Sequence, residues 1–214
     1  MSKDYSGPFG GFSEIPSNGL VWKESEGIGF YPVKEAPYDQ AYFDRYKQMA
    51  KTQVGKRLLN FRLDLVDDYL MDDTLIDIGI GSGVFVETRG YHTYGYDVNV
   101  VAQQWLDARK LWFDPYAMAP ESISCWDSLE HILCPQLLIE RVQKYIFISI
   151  PIFENREHVE RSKHFRKDEH YWYFTKRGLT AAMAYYDFRL LFDTNEESQI
   201  GREDIHTFVF KRHE

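Results

Sequence analysis

The chain has 214 residues, 44% hydrophobic and 16% aromatic against 27% charged, a balance that excludes an intrinsically disordered protein and fits one domain with a substantial core. A formal net charge of −8 and a pI near 5.4 exclude a protein that coats nucleic acid through a general excess of Lys and Arg, and leave room only for a local basic patch. Two cysteines, Cys125 and Cys134, speak against a structural disulfide and for a reducing, cytoplasmic location; no stretch reaches the roughly 18 apolar residues that span a bilayer, and no apolar signal core follows Met1.

Residues 1–37 are rich in Gly, Pro, Ser and aromatics without a helical or strand period, and predict an irregular arm that packs on the core, on a partner subunit or into a cleft. Its aromatics argue against a free tail. Apolar residues then recur at helical spacing, at Phe43, Tyr46 and Met49 and again from Leu58 to Tyr69, which predicts two helices over 38–70. Residues 75–78 read as a buried strand, 84–88 as the start of a helix and 92–96 as a second strand, together a βαβ unit. A helix is predicted over 98–111, a short third strand or extended turn at 112–115, a fourth strand at 122–126, a helix at 135–143 and an almost wholly apolar fifth strand at 145–151. A helix over 175–186 and an antiparallel pair, 188–192 with 205–211, close the chain.

The densest signal is Leu75-Ile76-Asp77-Ile78-Gly79-Ile80-Gly81-Ser82-Gly83, followed by Asp97 at the end of the second strand. Alternating glycines let a strand turn sharply beneath a ligand. The spacing is Gly-x-Gly-x-Gly with the bulky Phe85 close behind, which departs from the dinucleotide fingerprint, and no Gly-Lys-Ser/Thr ending places a lysine on a phosphate. The run resembles motif I of the class I S-adenosylmethionine-dependent methyltransferases. That resemblance implies an α/β fold with a seven-stranded Rossmann-like sheet of order 3-2-1-4-5-7-6 and helices on both faces, occupying 38–214 behind the arm. It further implies that Asp77, Gly79, Gly81 and Gly83 cradle the methionine half of S-adenosylmethionine, that Asp97 receives the ribose hydroxyls, and that Asp114, Trp126 and Asp127 complete the cofactor site. Asp114 before Pro115 reads equally well as a turn acid.

After the fourth strand, Asp127, Glu130 and His131 stand at i, i+3 and i+4, so one helical turn brings two carboxylates and an imidazole to one face, a half-site for a divalent ion such as Mg, Mn or Zn. Asp-x-x-Glu-His resembles the metal-binding Glu-x-x-Glu-His element of the ubiquinone-biosynthesis O-methyltransferases and of the enzymes that methylate the ends of small RNAs. In the RNA enzymes a further histidine joins the metal, and 168–176 looks similar, which would make His170 the fourth ligand. Asp127 in place of Glu and Tyr173 in place of a second Glu are departures. The same His131 and His170 suit a general base or a purely positioning role without metal.

The charged insertion 153–167 reads either as a solvated helix and loop or as a basic lip, with Lys163, His164, Arg166 and Lys167 gripping an anionic acceptor. In the aromatic run 171–174, Trp172 suits stacking on a base or an aromatic acceptor, while core packing or a lid fits the run better, because four successive aromatics cannot all face one ligand. Ser162-Lys163-His164-Phe165, His170 to Phe174 and 201–204 together also resemble small methyltransferases encoded by bacteria and phages. The implied activity is methyl transfer from S-adenosylmethionine to an oxygen or nitrogen nucleophile of a small molecule or an RNA end, with or without metal. The alternative is a non-catalytic structural or virion-associated protein that keeps the fold and uses the arm for a partner or a second copy.

Overall fold

The computed structural model describes residues 7–10, 19–32 and 38–213. Two helices lead in. The first, α1 (Gln40–Lys51), starts where the Asp39 carboxylate accepts from the Tyr42 N–H at 2.9 Å; the second, α2 (Gln53–Asp67), starts where the Thr52 hydroxyl accepts from the Gly55 N–H at 3.0 Å. The wholly buried β3 (Leu75–Ile78) then turns into α3 (Val84–Arg89), and β4 (Thr93–Tyr96) leads to α4 (Val100–Asp107). There follow β5 (Ser122–Trp126), the short α5 (Gln136–Ile139), β6 (Tyr145–Pro151) and α6 (Arg156–Arg161). The chain ends with α7 (Lys176–Tyr185), β8 (Phe188–Thr194), α8 (Glu196–Ile200) and β9 (Ile205–Arg212).

The central sheet runs β4-β3-β5-β6-β9-β8, with β4, β3, β5 and β6 parallel and β9 antiparallel to both its neighbours. This is the α/β fold that the periodicity predicts, with one correction: six strands stand where seven are expected. The edge strand beyond β4 shrinks to a single parallel bridge between Trp112 and Gly95. Lys110 just before it turns through φ 58°, and just after it the Asp114 carboxylate accepts from the Tyr116 N–H at 2.8 Å, so the chain bends away after one pairing. The predicted helices at 98–111 and 135–143 are shorter than their patterns.

A second sheet is not legible in the sequence. β1 (Val21–Lys23) and β2 (Ile28–Phe30), inside the predicted arm, join β7 (Trp172–Phe174) as three antiparallel strands. Among the described residues the arm is therefore packed on the core. Phe9 sits edge-on to Trp172 at 5.0 Å and stacks on Tyr186 at 5.9 Å, while Phe30 meets Trp172 at 4.9 Å. The remainder of the predicted arm lies outside the described residues. Both cysteines are free thiols, and among the described residues no helix is long and apolar enough to cross a membrane.

Candidate functional site

The carboxyl ends of β3, β4 and β5 converge, where open α/β sheets place their ligands. Gly79, Gly81 and Gly83 all take positive φ, at 75°, 54° and 77°. At Gly83 a Cβ would stand 2.6 Å from the Trp105 ring, at Gly79 2.8 Å from the Ser128 Cβ and at Gly81 3.1 Å from the Tyr46 ring, so each glycine lets a neighbouring side chain pack directly on the loop backbone. Asp77 is buried and accepts from the Ser124 hydroxyl at 2.7 Å. Burial pushes its carboxyl up to about 7, against the pull of Ser124 and of the Arg62 charge. Asp97 accepts from the Asn99 N–H at 2.8 Å; burial raises it to about 6, while the backbone N–H groups of Asn99, Ile80, Gly81 and Val98 favour its anion. Two desolvated carboxyls thus flank one glycine loop.

Asp114, Trp126 and Asp127 each hold partners within the protein. The Asp114 carboxylate closes its own turn. Trp126 packs inward, with Phe85 edge-on at 5.5 Å and the Arg62 guanidinium 5.0 Å over its ring. Asp127, at φ 56°, is clasped by Arg202, whose Nη1 and Nη2 both donate to its carboxylate (Nη2 at 2.9 Å), and by Arg62 Nη2 at 3.2 Å. The same two guanidiniums hold the fully buried Glu197, Arg62 at 2.7 and 2.9 Å and Arg202 at 3.0 Å, and the Ser149 hydroxyl adds a bond at 2.8 Å.

A 3₁₀ turn (Leu129–His131) follows β5, and the Glu130 carbonyl accepts from the Tyr171 N–H at 2.9 Å, so the segment leading into β7 delivers His170 beside it. Glu130, His131 and His170 bring one ligand atom each within 4.8 Å of one another. His170 Nε2 stands 4.0 Å from Glu130 Oε1, and the two imidazoles lie 4.6 Å apart, nearly perpendicular. Both Glu130 carboxylate oxygens are buried without a hydrogen-bond partner, and burial together with the Asp127 charge pushes this carboxyl well above its ordinary range. Burial drives His131 down to about 4 and His170 to about 2, so both are neutral imidazoles near pH 7. The predicted four-residue set is corrected in one member: Asp127 belongs to the arginine clasp and stands outside the trio.

The predicted lip is internally neutralised. Lys163 pairs with Glu203 at 2.8 Å, His164 Nε2 meets the Glu203 carbonyl at 2.8 Å, Arg166 pairs with Glu169 at 2.7 Å, and Lys167 lies 4.9 Å over the Phe165 ring. Trp172 is 2% exposed and donates from Nε1 to the Ile132 carbonyl at 2.9 Å, a core position rather than a stacking platform. Sequence reasoning missed Tyr38, whose hydroxyl meets His131 Nδ1 at 3.3 Å, and Tyr42, whose hydroxyl donates to Tyr46 at 3.1 Å. The i, i+4, i+8 spacing of Tyr38, Tyr42 and Tyr46 was the available signal.

A glycine loop between two buried acids at the switch edge of a parallel sheet, facing a carboxylate and two imidazoles, defines an α/β group-transfer site. The profile of the family described as "Methyltransferase domain" matches residues 38–191, and the chain belongs to that family. Solved structures share the fold. Magnesium protoporphyrin IX methyltransferase from Synechocystis PCC 6803, with bound SAH, is 13% identical with a TM-score of 0.55 over 82% of this chain and 96% of that one. The Burkholderia thailandensis 1,6-didemethyltoxoflavin-N1-methyltransferase, with its substrate and S-adenosylhomocysteine bound, is 10% identical with a TM-score of 0.55 over 92% and 100%. A Thermotoga maritima SAM-dependent methyltransferase, described as a possible histamine N-methyltransferase, is 13% identical with a TM-score of 0.56 over 81% and 97%. No curated protein matches the sequence.

Proposed function

We propose that the chain transfers the methyl group of S-adenosylmethionine to an oxygen or nitrogen nucleophile of a small acceptor, through a methyltransferase unit spanning 38–214. One observation supports this reading: at the carboxyl edge of the sheet the Gly79–Gly83 loop, with Asp77 and Asp97, stands beside the turn that carries Glu130 and His131, Gly79 facing the Ser128 side chain. When bound, S-adenosylmethionine would supply an electrophilic methyl group for the acceptor's nucleophilic atom. Asp97 would receive the ribose hydroxyls, and the positive-φ backbone of the Gly79–Gly83 loop would lie along the methionine half. Burial around Asp77 and Asp97 keeps water out, and much of the rate then comes from positioning. His131 and His170, held neutral by burial, orient the acceptor through hydrogen bonds to their ring nitrogens.

The acceptor group also fits a divalent ion, because an orphaned buried carboxylate beside two neutral imidazoles is a donor set lacking its cation. Glu130, His131 and His170 would hold it. Such an ion would lower the pKa of an acceptor hydroxyl. Pairing of Lys163 with Glu203 and of Arg166 with Glu169 favours a small acceptor over an RNA end, whose phosphates call for unpaired cations.

Calorimetry with S-adenosylhomocysteine tests the donor half. Wild type binds and Asp97→Ala loses at least tenfold in affinity; a wild type that binds neither this product nor S-adenosylmethionine refutes the assignment.

A further inference from the structure

Tyr38, Tyr42 and Tyr46 form a continuous path between the Gly79–Gly83 loop and His131. The Tyr46 ring lies against Gly81 of the donor loop, and its hydroxyl accepts from Tyr42 at 3.1 Å. The Tyr42 and Tyr38 rings meet edge to face at 4.9 Å, and the Tyr38 hydroxyl ends the path on His131 Nδ1 at 3.3 Å. The same end of α1 is fastened to the donor side: Asn99 Nδ2 donates to the Asp39 carbonyl at 3.1 Å while the Asn99 N–H holds Asp97. Phe43 is the buried core anchor of α1, and the half-buried Tyr42 and Tyr46 face the glycine-loop side.

A neutral imidazole on a short turn has two tautomers and can flip, and a hydrogen bond at one nitrogen decides which nitrogen is left for other partners. We propose that Tyr38 is a positioning residue for His131: its hydroxyl, on Nδ1, fixes the imidazole in one tautomer and one plane, beside the Glu169 backbone to which the ring also hydrogen-bonds. This rests on the reading of His131 as an acceptor-side group. A phenylalanine at position 38 would keep the ring contact with Tyr42 and lose only the bond to His131, which separates positioning from packing.

The test is imidazole ¹⁵N spectroscopy on metal-free protein labelled at histidine, comparing wild type, Tyr38→Phe and Tyr42→Phe, with His131 assigned by the signals missing from His131→Asn. Wild type and Tyr42→Phe should each show one dominant His131 tautomer, and Tyr38→Phe should shift the tautomer ratio toward unity by about fivefold, the worth of one neutral hydrogen bond. An unchanged ratio in Tyr38→Phe, or a mixture already present in wild type, overturns the proposal. S-adenosylhomocysteine binding on the same samples keeps the two readings apart: its failure in wild type counts against methyl transfer, while the tautomer ratio still decides the role of Tyr38.

Discussion

Glu197→Gln is the sharpest perturbation of the clasp that holds the acceptor turn. Glu197 is fully buried and takes three guanidinium hydrogen bonds, from Arg62 at 2.7 and 2.9 Å and from Arg202 at 3.0 Å, plus one from Ser149 at 2.8 Å. The four charged groups Arg62, Arg202, Asp127 and Glu197 sum to zero, so a neutral amide leaves two cations facing one carboxylate. Removing one partner from a buried pair costs about 3–5 kcal/mol. Because Arg202 and Asp127 keep 25% and 21% side-chain exposure, the lower end applies here. About 3 kcal/mol lowers Tm by roughly 6–12 °C in a domain of this size. Urea unfolding at pH 7 measures it, with Arg62→Met/Glu197→Leu as companion: that double variant keeps the Arg202–Asp127 pair and should recover most of the loss, since apolar replacement of a whole buried pair is close to neutral. A loss below about 1 kcal/mol in Glu197→Gln, or a double variant worse than the single, would refute the reasoning.

Asp77 and Asp127 should pull acid stability in opposite directions. Asp77 is raised to about 7, so its folded form binds the extra proton; stability of the ligand-free protein falls by about 4 kcal/mol as pH rises from 4 to 7, and Asp77→Asn removes that slope in pH-dependent unfolding. At Asp127, burial acts to raise the carboxyl, but Arg202 and Arg62 outweigh it and hold it at about 2, so its contribution is complete above the ordinary carboxylate value and disappears as pH falls from 4 toward 2, a loss that Asp127→Asn should not show. Glu130→Gln should raise the melting temperature of metal-free protein, because it removes a buried carboxylate without partners, and should abolish any rise that Mn²⁺ or Zn²⁺ produces in wild type; a metal-induced rise that survives in the variant counts against the trio as ligands. Gly83→Ala should cost about 2 kcal/mol or more, from φ 77° and the 2.6 Å approach to Trp105, with chemical denaturation as the readout; a neutral substitution would contradict the loop geometry.

The donor half was legible because its information is local. A buried strand, three glycines within five residues and an acid ending the next strand specify a backbone path that needs few distant partners, and β3, α3 and β4 follow it. Asp127 shows the opposite case. Its spacing to Glu130 and His131 predicts a shared face, yet Arg62, 65 residues away, and Arg202, 75 residues away, turn its carboxylate aside. Trp172 leaves stacking and core packing both open in the sequence, and the pairing of β2 with β7 buries it in the core.

From the sequence alone come the α/β class, the parallel strands, the glycine loop and the two acids beside it, since these depend on residue types a few positions apart. The tertiary structure alone decided that the sheet has six strands, that the arm contributes β1 and β2, and that Glu130, His131 and His170 meet while Asp127 and the basic lip are neutralised. The reason is physical: a side chain's charge state and partners are set by whichever groups folding brings within a few ångströms, and spacing along the chain does not record which groups those are.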